Sequence, residues 1–145
     1  MAVVTSGLVA EYVGKWAKGT GMFGYTTSGA SVDYGNDYTF LLTTFTLSDT
    51  ATVRKLTAAM TEAAGYVGYA KGVIYAPNGT GGRPGTLVGA TPERSISANA
   101  DAWLDFVFTS ALTLPPANYW MGLLVRRTGG SILGFRYTSG AGGYS

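Results

Sequence analysis

The sequence predicts an all-β fold, an antiparallel β-sandwich of jelly-roll-like form with eight or nine strands and an N-terminal arm. Two observations support this class. From residue 38 onward, short runs rich in threonine, tyrosine, phenylalanine and leucine are separated by turn residues at intervals of roughly ten residues. After residue 20, no segment spaces its apolar residues as a strongly amphipathic helix does.

The predicted strands follow one another with turn signals between them. They lie at residues 38–47, 51–60, 66–76, 86–91, 94–98, 102–109, 119–128 and 131–137. The dipeptide Ser48-Asp49 marks a turn after the first of them. In the second, Leu56, Ala58 and Met60 recur at every other position, which is the pattern of a half-buried strand.

The N-terminal segment differs from the rest, so the chain is divided into an arm with its linker, residues 1–21, and a sandwich domain, residues 22–145. Five apolar residues recur at helical spacing and would share one face of a helix: Leu8, Val9, Tyr12, Val13 and Trp16. Gly14 and the β-branched valines weaken such a helix, so a strand is the alternative. Residues 18–37 are rich in glycine and serine and predict a linker.

The five apolar residues of this arm are the predicted partner-binding residues. A dense apolar face tends to be buried, either on its own domain or on a neighbouring protein. Removal of residues 1–20 is accordingly expected to leave the sandwich folded and to abolish its incorporation into an assembly. Unfolding of the shortened chain would instead place the arm in the core.

The composition excludes several kinds of chemistry. Charged residues make up 12% of the chain, about half the usual share. This low share fits a subunit packed in an assembly, and it equally fits a β domain whose solvent-exposed face is rich in threonine. The chain has no histidine and no cysteine, which excludes histidine-activated nucleophiles and disulfides. The net charge is +2 with scattered basic residues, so no nucleic-acid partner is expected. No apolar run approaches the roughly 20 residues that span a bilayer, so no membrane partner is expected.

The carboxylates offer no convincing catalytic pair. Asp101 and Asp105 lie four residues apart on one predicted strand, a spacing of about 13 Å, which is too long for a glycosidase pair. Asp33, Asn36 and Asp37 could supply oxygen ligands to calcium, but their spacing matches no EF-hand loop and turn formation explains them equally well. No catalytic residue, metal or cofactor is predicted.

Aromatic residues are abundant, with three tryptophans, ten tyrosines and six phenylalanines. Trp103 and Trp120 lie in predicted strands and are expected in the core, because tryptophan buries a large apolar area. Exposed tyrosines could instead stack on sugar rings. Tyr34, Tyr38 and Tyr119 are the predicted glycan-stacking residues of an alternative, carbohydrate-binding function.

Residues 73–90, VIYAPNGTGGRPGTLVGA, place five glycines and two prolines between two apolar runs. A phosphate-binding loop needs lysine and a hydroxyl residue after its last glycine, followed by a helix. Here Arg83 precedes Pro84, and the next segment is a predicted strand. Asn78-Gly79 and Pro84-Gly85 are turn dipeptides. The stretch therefore predicts a long hairpin loop.

Two segments, KGVIYAPNGTGGRPGTLVGAT at 71–91 and WLDFVFTSALTLPPANYWMGLLV at 103–125, resemble a β-sandwich module of bacteriophage structural proteins that is also found in some bacterial surface proteins. The shared order is an apolar strand ending in Ile-Tyr, a glycine-rich turn closing on Pro-Gly, a Leu-Val strand, a tryptophan strand and a Tyr-Trp strand. The resemblance covers residues 23–137. Such modules often continue for one more strand after a segment like FRYTSGAGGYS, so that strand is expected to be either lost or supplied by a neighbouring subunit.

The resemblance implies a non-enzymatic virion structural protein, either a capsid decoration (cement) protein or a small tail or baseplate subunit. It implies location in the virion and binding to major capsid or tail proteins through the N-terminal arm and the sheet edges. The chain is expected to form a homo-oligomer or to be present in many copies in a symmetric assembly, and many copies would add avidity. The alternative, from a different class, is a carbohydrate- or receptor-binding module.

Overall fold

In the computed structural model, the backbone is described for residues 2–3, 8–14, 20–24, 31–35, 39–62, 68–96, 102–127 and 133–137, and side chains for 40–60, 68–96 and 102–126. These residues form twelve strands and one 3₁₀ turn at Thr80–Gly82, and none of them lies in an α-helix. The strands are β1 (Ala2–Val3), β2 (Leu8–Gly14), β3 (Thr20–Gly24), β4 (Ser31–Gly35), β5 (Thr39–Leu47), β6 (Ala51–Glu62), β7 (Gly68–Tyr75), β8 (Leu87–Ala90), β9 (Arg94–Ile96), β10 (Ala102–Leu114), β11 (Ala117–Arg127) and β12 (Leu133–Tyr137).

The predicted all-β class is confirmed, and each strand candidate from residue 38 to 137 contains an observed strand. The twelve strands exceed the eight or nine expected, because the structure has four strands before residue 38. The helix predicted for the N-terminal segment is wrong over Leu8–Gly14, because these residues form β2, and the strand alternative is the one observed. The linker predicted at 18–37 is also corrected, because it contains β3 and β4.

The strands form two sheets of six. Sheet A has the order β1-β5-β11-β7-β8, with β9 also paired to β7, and sheet B has the order β3-β2-β6-β12-β4, with β10 paired to β6. All described pairs are antiparallel except β1 with β5. In sheet B, Met60 of β6 faces Ala102 of β10 and Phe135 of β12, so these two neighbours occupy opposite edges of β6.

The segment predicted as an arm is built into the sheets: β1 pairs with β5 in sheet A, and the longer β2 lies in sheet B. Strand β2 pairs with β6 from Ala58 to Ala51 on one edge and with β3 on the other. The predicted boundary after residue 21 falls inside β3. The free arm is therefore corrected to an integral strand, because ladder hydrogen bonds on both edges satisfy its main-chain groups.

Two short connections at one end of the molecule carry the chain between the sheets. Residues 48–50 link β5 in sheet A to β6 in sheet B, and Pro115-Pro116 link β10 in sheet B to β11 in sheet A. Leu47 pairs with Ala117, which places the two connections next to each other. The turn predicted at Ser48-Asp49 is thus confirmed as the point where the chain changes sheet.

The main apolar core takes side chains from both sheets. From sheet A come Leu41, Leu47, Ala70, Ile74, Ile96, Tyr119, Met121, Leu123 and Val125, and from sheet B come Ala51, Val53, Leu56, Ala58, Met60, Phe106, Phe108 and Leu114. The predicted burial of Leu56, Ala58 and Met60 is confirmed, although Ala59 between two of them is buried as well. Burial of this apolar surface is the main force that holds the two sheets to each other.

A smaller apolar cluster contains the residues that alternate with those of the main core in sheet A. Its buried members are Leu42, Val73 and Trp120, with Phe40, Tyr75 and Leu124 packed against them. Because successive residues of a strand point to opposite faces, this cluster lies on the other face of the sheet. Trp120 is 5% exposed, so its predicted burial is confirmed.

Thr91, which lies between β8 and β9, makes hydrogen bonds to β7 where neither strand does. Its main-chain N–H donates to the Gly72 carbonyl, and its hydroxyl oxygen accepts the Gly72 N–H, both at 2.9 Å. The hydroxyl donates in turn to the carbonyl of Pro92 at 3.0 Å. Thr91 and Gly72 are both buried, so this hydroxyl satisfies a main-chain donor that has no strand partner at the break.

Replacement of Thr91 by valine is expected to lower the free energy of unfolding by about 1–3 kcal/mol. Valine has nearly the same shape, so the loss comes from the buried Gly72 N–H that is left without its acceptor. Urea unfolding followed by circular dichroism measures it. The matched control is Thr109→Val on the exposed face of β10, expected within about 0.5 kcal/mol of the parent. Equal effects of the two substitutions would contradict this role.

Candidate interaction surface

Strand β10 presents apolar side chains to solvent. Leu104, Phe106 and Phe108 point toward the core, and the residues that alternate with them point outward. Of these outward residues, Trp103 is 40% exposed and Val107 is 58% exposed. The prediction that Trp103 lies in the core is therefore wrong, because the alternation along β10 places it on the outer face. We call Trp103 and Val107 the β10 surface.

Asp105 lies between these two residues and is tied to the neighbouring strand. Lys55 Nζ donates to Asp105 Oδ2 at 2.9 Å, and Thr57 Oγ1 donates to Oδ1 at 2.6 Å. Partial burial raises the pKa of Asp105, but the hydrogen bonds from Thr57 and Lys55 and the charges of Lys55 and Arg94 outweigh it and leave the pKa below its usual value. The carboxylate therefore stays ionised near neutral pH and cross-links β6 to β10. Its predicted companion, Asp101, lies outside the described residues.

The edge of β10 away from β6 approaches the edge of sheet A. Arg94 Nη1, on β9, donates to the Asp105 carbonyl oxygen at 2.7 Å. A Cβ built on Gly89 of β8 would contact Leu112 of β10, so the two edges are close there as well. Among the described strands, β10 pairs with β6 alone. One carbonyl of this edge is thus covered by a cationic side chain, a common means of restraining uncontrolled strand addition.

A second ion pair fastens the turn before β9 to β11. Arg126 donates to Glu93 through Nε at 3.0 Å and Nη2 at 2.6 Å, which makes the pair bidentate. The hydrogen bond from Arg126 lowers the pKa of Glu93 from its ordinary value, against a smaller effect of desolvation. The Arg126 guanidinium also lies 4.2 Å from the ring centroid of Tyr69. The ion-pair partner of Glu93 is thus a residue distant in sequence, on a different strand.

The glycine-rich loop is the predicted hairpin, since β7 and β8 pair antiparallel on either side of it. Ala76 N–H donates to the Thr86 carbonyl and Gly85 N–H to the Ala76 carbonyl, both at 2.9 Å, which closes its base. Within the loop, Gly81 and Gly82 have φ of 69° and 76°, a region that favours glycine.

The loop is fixed to sheet A by a tryptophan. Trp120 Nε1 donates to the Gly82 carbonyl at 2.9 Å, which satisfies the indole N–H of this buried residue. The loop thus extends over the smaller apolar cluster, and its glycines serve the backbone geometry of the hairpin.

Tyr119 does not serve as an exposed stacking platform. It is 4% exposed, belongs to the main core and donates its hydroxyl to the Pro115 carbonyl at 2.8 Å. Burial raises the pKa of the Tyr119 phenol above its ordinary value. The prediction that it stacks on a glycan is corrected, because β11 directs it inward opposite Phe45. Its hydroxyl instead holds the Pro115-Pro116 connection in place.

The remaining predicted site residues lie in parts of the chain where the structure describes only the backbone or nothing. Leu8, Val9, Tyr12 and Val13 are on β2, and Asp33 and Tyr34 are on β4, with their side chains not described. Trp16, Asn36, Asp37 and Tyr38 lie outside the described residues. The partner-binding, calcium and glycan-stacking roles of these residues stay predictions.

Taken together, the sheets and the β10 surface define an all-β protein with mainly antiparallel pairing and an exposed aromatic side chain on a strand. Within the described part of the chain, no helix has the length and apolar character to cross a membrane, and no three acidic, histidine or cysteine side chains lie together as metal ligands. No protein-family model matches the chain, and neither a curated protein nor a solved structure matches it.

Proposed function

We propose that this chain is a non-enzymatic structural protein of a bacteriophage virion, a capsid decoration protein or a small tail or baseplate subunit, present in many copies and bound to neighbouring virion proteins. The observation that carries the proposal is the β10 surface. Trp103 and Val107 expose apolar area on a rigid strand, and aromatic anchors of this kind contribute most to protein–protein contacts.

The architecture supports this assignment through its likeness to a β-sandwich. The two sheets share one core, and we propose that they form a jelly-roll-like sandwich in which the connections at 48–50 and 115–116 are the sheet-changing corners. A sandwich places rigid strands and hairpin loops at its surface, which suits repeated contacts in a symmetric particle.

The charged residues support a structural role as well. Asp105 joins β6 to β10, and Glu93 joins the turn before β9 to β11. Both carboxylates are held in ion pairs with their pKa lowered, whereas a general acid needs a raised pKa. These side chains act as cross-links between strands.

The contact with neighbouring proteins is proposed to use the β10 surface and the sheet edges. The segment from Leu8 to Trp16 stays a predicted second contact, of which Leu8–Gly14 form strand β2. Apolar contacts of this kind resist salt, because screening weakens only the interactions between charges.

The test is co-sedimentation of the purified chain with capsids, and separately with tails, that lack it. Binding is expected to persist in high salt, and Trp103→Ala is expected to weaken it at least about tenfold, since a buried aromatic anchor contributes more than about 1.4 kcal/mol. The matched control, Thr109→Ala on the same exposed face of β10, is expected to bind like the parent. Absence of binding to both particles, or equal binding of the two variants, would contradict the proposal.

A carbohydrate- or receptor-binding module is the second candidate, and one observation favours it. An exposed tryptophan on a strand can stack on a sugar ring, and Trp103 could take the role that buried Tyr119 cannot. Glycan-array binding by the parent chain that disappears in Trp103→Ala, without binding to capsids or tails, would select this function over virion assembly.

A further inference from the structure

Asn78 is the one asparagine of the chain that is followed by glycine; the other three are Asn36, Asn99 and Asn118. An Asn-Gly pair is prone to spontaneous deamidation, because glycine has no side chain to hinder attack by its own nitrogen on the preceding side-chain amide. Asn78 is also exposed, so water and hydroxide reach it. The pair therefore has the chemistry and access that this modification requires.

The closed loop engages both reacting groups in hydrogen bonds with other residues. The Asn78 side chain accepts the Thr86 N–H through Oδ1 at 2.7 Å and donates from Nδ2 to Thr86 Oγ1 at 3.0 Å. The attacking group, the Gly79 N–H, donates to the Arg83 carbonyl at 3.0 Å. Three hydrogen bonds must break before Gly79 nitrogen can lose its proton and reach Asn78 Cγ.

We infer that Asn78-Gly79 is a latent deamidation site that the hairpin loop keeps unreactive, with Thr86 as its main restraint, and that the site is modified when the loop opens. The inference does not depend on the proposed function. It follows from the geometry of the loop and from the chemistry of the dipeptide.

The reaction is balanced without any cofactor. A bond forms between Gly79 nitrogen and Asn78 Cγ, the bond from Cγ to Nδ2 breaks, and ammonia leaves with the proton of the Gly79 amide. Water then adds to the cyclic imide and opens it to aspartate or isoaspartate at position 78. The product chain is heavier by one nominal mass unit.

The isoaspartate product is expected to prevent the loop from closing again. It adds a methylene group to the main chain before Gly79, where there is little space. A Cβ on Gly79 would come within 2.6 Å of the Pro84 carbonyl oxygen, and a Cβ on Gly85 would overlap Asn78 Oδ1. The displaced loop would also lose the hydrogen bond between Trp120 and Gly82. The modification is therefore irreversible, and a modified chain is one whose loop has opened.

The experiment incubates the full chain at mildly alkaline pH and follows conversion at residue 78 by peptide mass mapping and an isoaspartate-specific assay. The folded parent is expected to convert at least about tenfold more slowly than the same chain in denaturant, because only the open loop reacts. Thr86→Ala, which removes the acceptor for Nδ2, is expected to convert several-fold faster than the parent while still folded by circular dichroism. Thr109→Ala is the control and is expected to match the parent.

Two outcomes would overturn the inference. One is conversion of the folded parent at the rate of the denatured chain, which needs no variant and is independent of how Thr86→Ala folds. The other is a folded Thr86→Ala variant that converts no faster than the parent. Neither outcome bears on binding to virion particles, so this inference and the proposed function fail separately.

Discussion

Replacement of Gly122 by alanine is expected to lower the free energy of unfolding by more than about 3 kcal/mol, or to prevent folding. Gly122 lies in β11, between β5 and β7 in sheet A, where it pairs with Leu42 and Val73. A Cβ at this position would overlap the carbonyl oxygen of Leu41 and come within 2.9 Å of the Leu42 Cα. These are main-chain atoms fixed in a ladder, so they cannot move aside as the end of a side chain does.

Urea unfolding followed by circular dichroism measures this loss. Gly81→Ala is the comparison, because a Cβ there meets nothing within 4 Å and the cost comes only from the positive φ of 69°. That substitution is expected to cost about 1–2 kcal/mol. A smaller effect at Gly122 than at Gly81 would contradict the close approach of β11 to β5.

Deletion of residues 1–20 is expected to remove most or all of the cooperative unfolding transition. The deletion takes away β1 and β2 and the first residue of β3. It exposes the edge of β6 from Ala51 to Ala58, whose main-chain groups and core side chains then face water. This reverses the expectation from the sequence alone, in which the sandwich folds without its arm.

Thermal unfolding followed by circular dichroism distinguishes the two expectations. Deletion of residues 1–3 is the matched control, because it removes only the two-residue strand β1 beside β5. The control is expected to unfold cooperatively at a temperature close to that of the full chain. A chain without residues 1–20 that unfolds like the control would show that β2 contributes little to the fold.

The strands after residue 38 could be predicted because their sequences carry both necessary signals. β-branched and aromatic residues alternate or run continuously, and turn residues separate them. The hairpin between β7 and β8 was predictable for the same reason, since its glycines and prolines have backbone roles. The hydrogen bond from Trp120 to Gly82 was not, because it joins residues far apart in sequence through a main-chain carbonyl.

The strands before residue 38 were not predictable because their pairing depends on the main chain. Strand β3 reads TGMFG and β4 reads SVDYG, and such short glycine-containing runs also occur in linkers. Strand β4 pairs with β12 near the other end of the chain, whereas β3 pairs with β2, the strand just before it. In β2, apolar residues at several adjacent positions fit helical spacing as well as a strand that is paired on both edges.

The exposure of the candidate site residues could be predicted in part. In β10, the charged Asp105 indicates which residues of the strand point to solvent. Trp103 and Val107 lie two positions away on either side and therefore share its face. In β11, Asn118 and Arg126 alternate with Tyr119 and so mark the opposite face, but Trp120 and Leu124 on that face are apolar as well. The alternation therefore locates the β10 surface, whereas in β11 both faces contribute buried residues, so alternation alone does not identify the face that carries the main core.

The two adjacent connections at 48–50 and 115–116 have a consequence for the rate of folding. They bring β5 next to β11 and β6 next to β10, so each of the longest ladders joins strands from opposite halves of the chain. A long loop must close before either ladder gains a hydrogen bond. The chain therefore loses conformational entropy before the ladder hydrogen bonds can compensate for it. Folding is therefore expected on a timescale on the order of milliseconds to seconds, as for other proteins dominated by distant contacts.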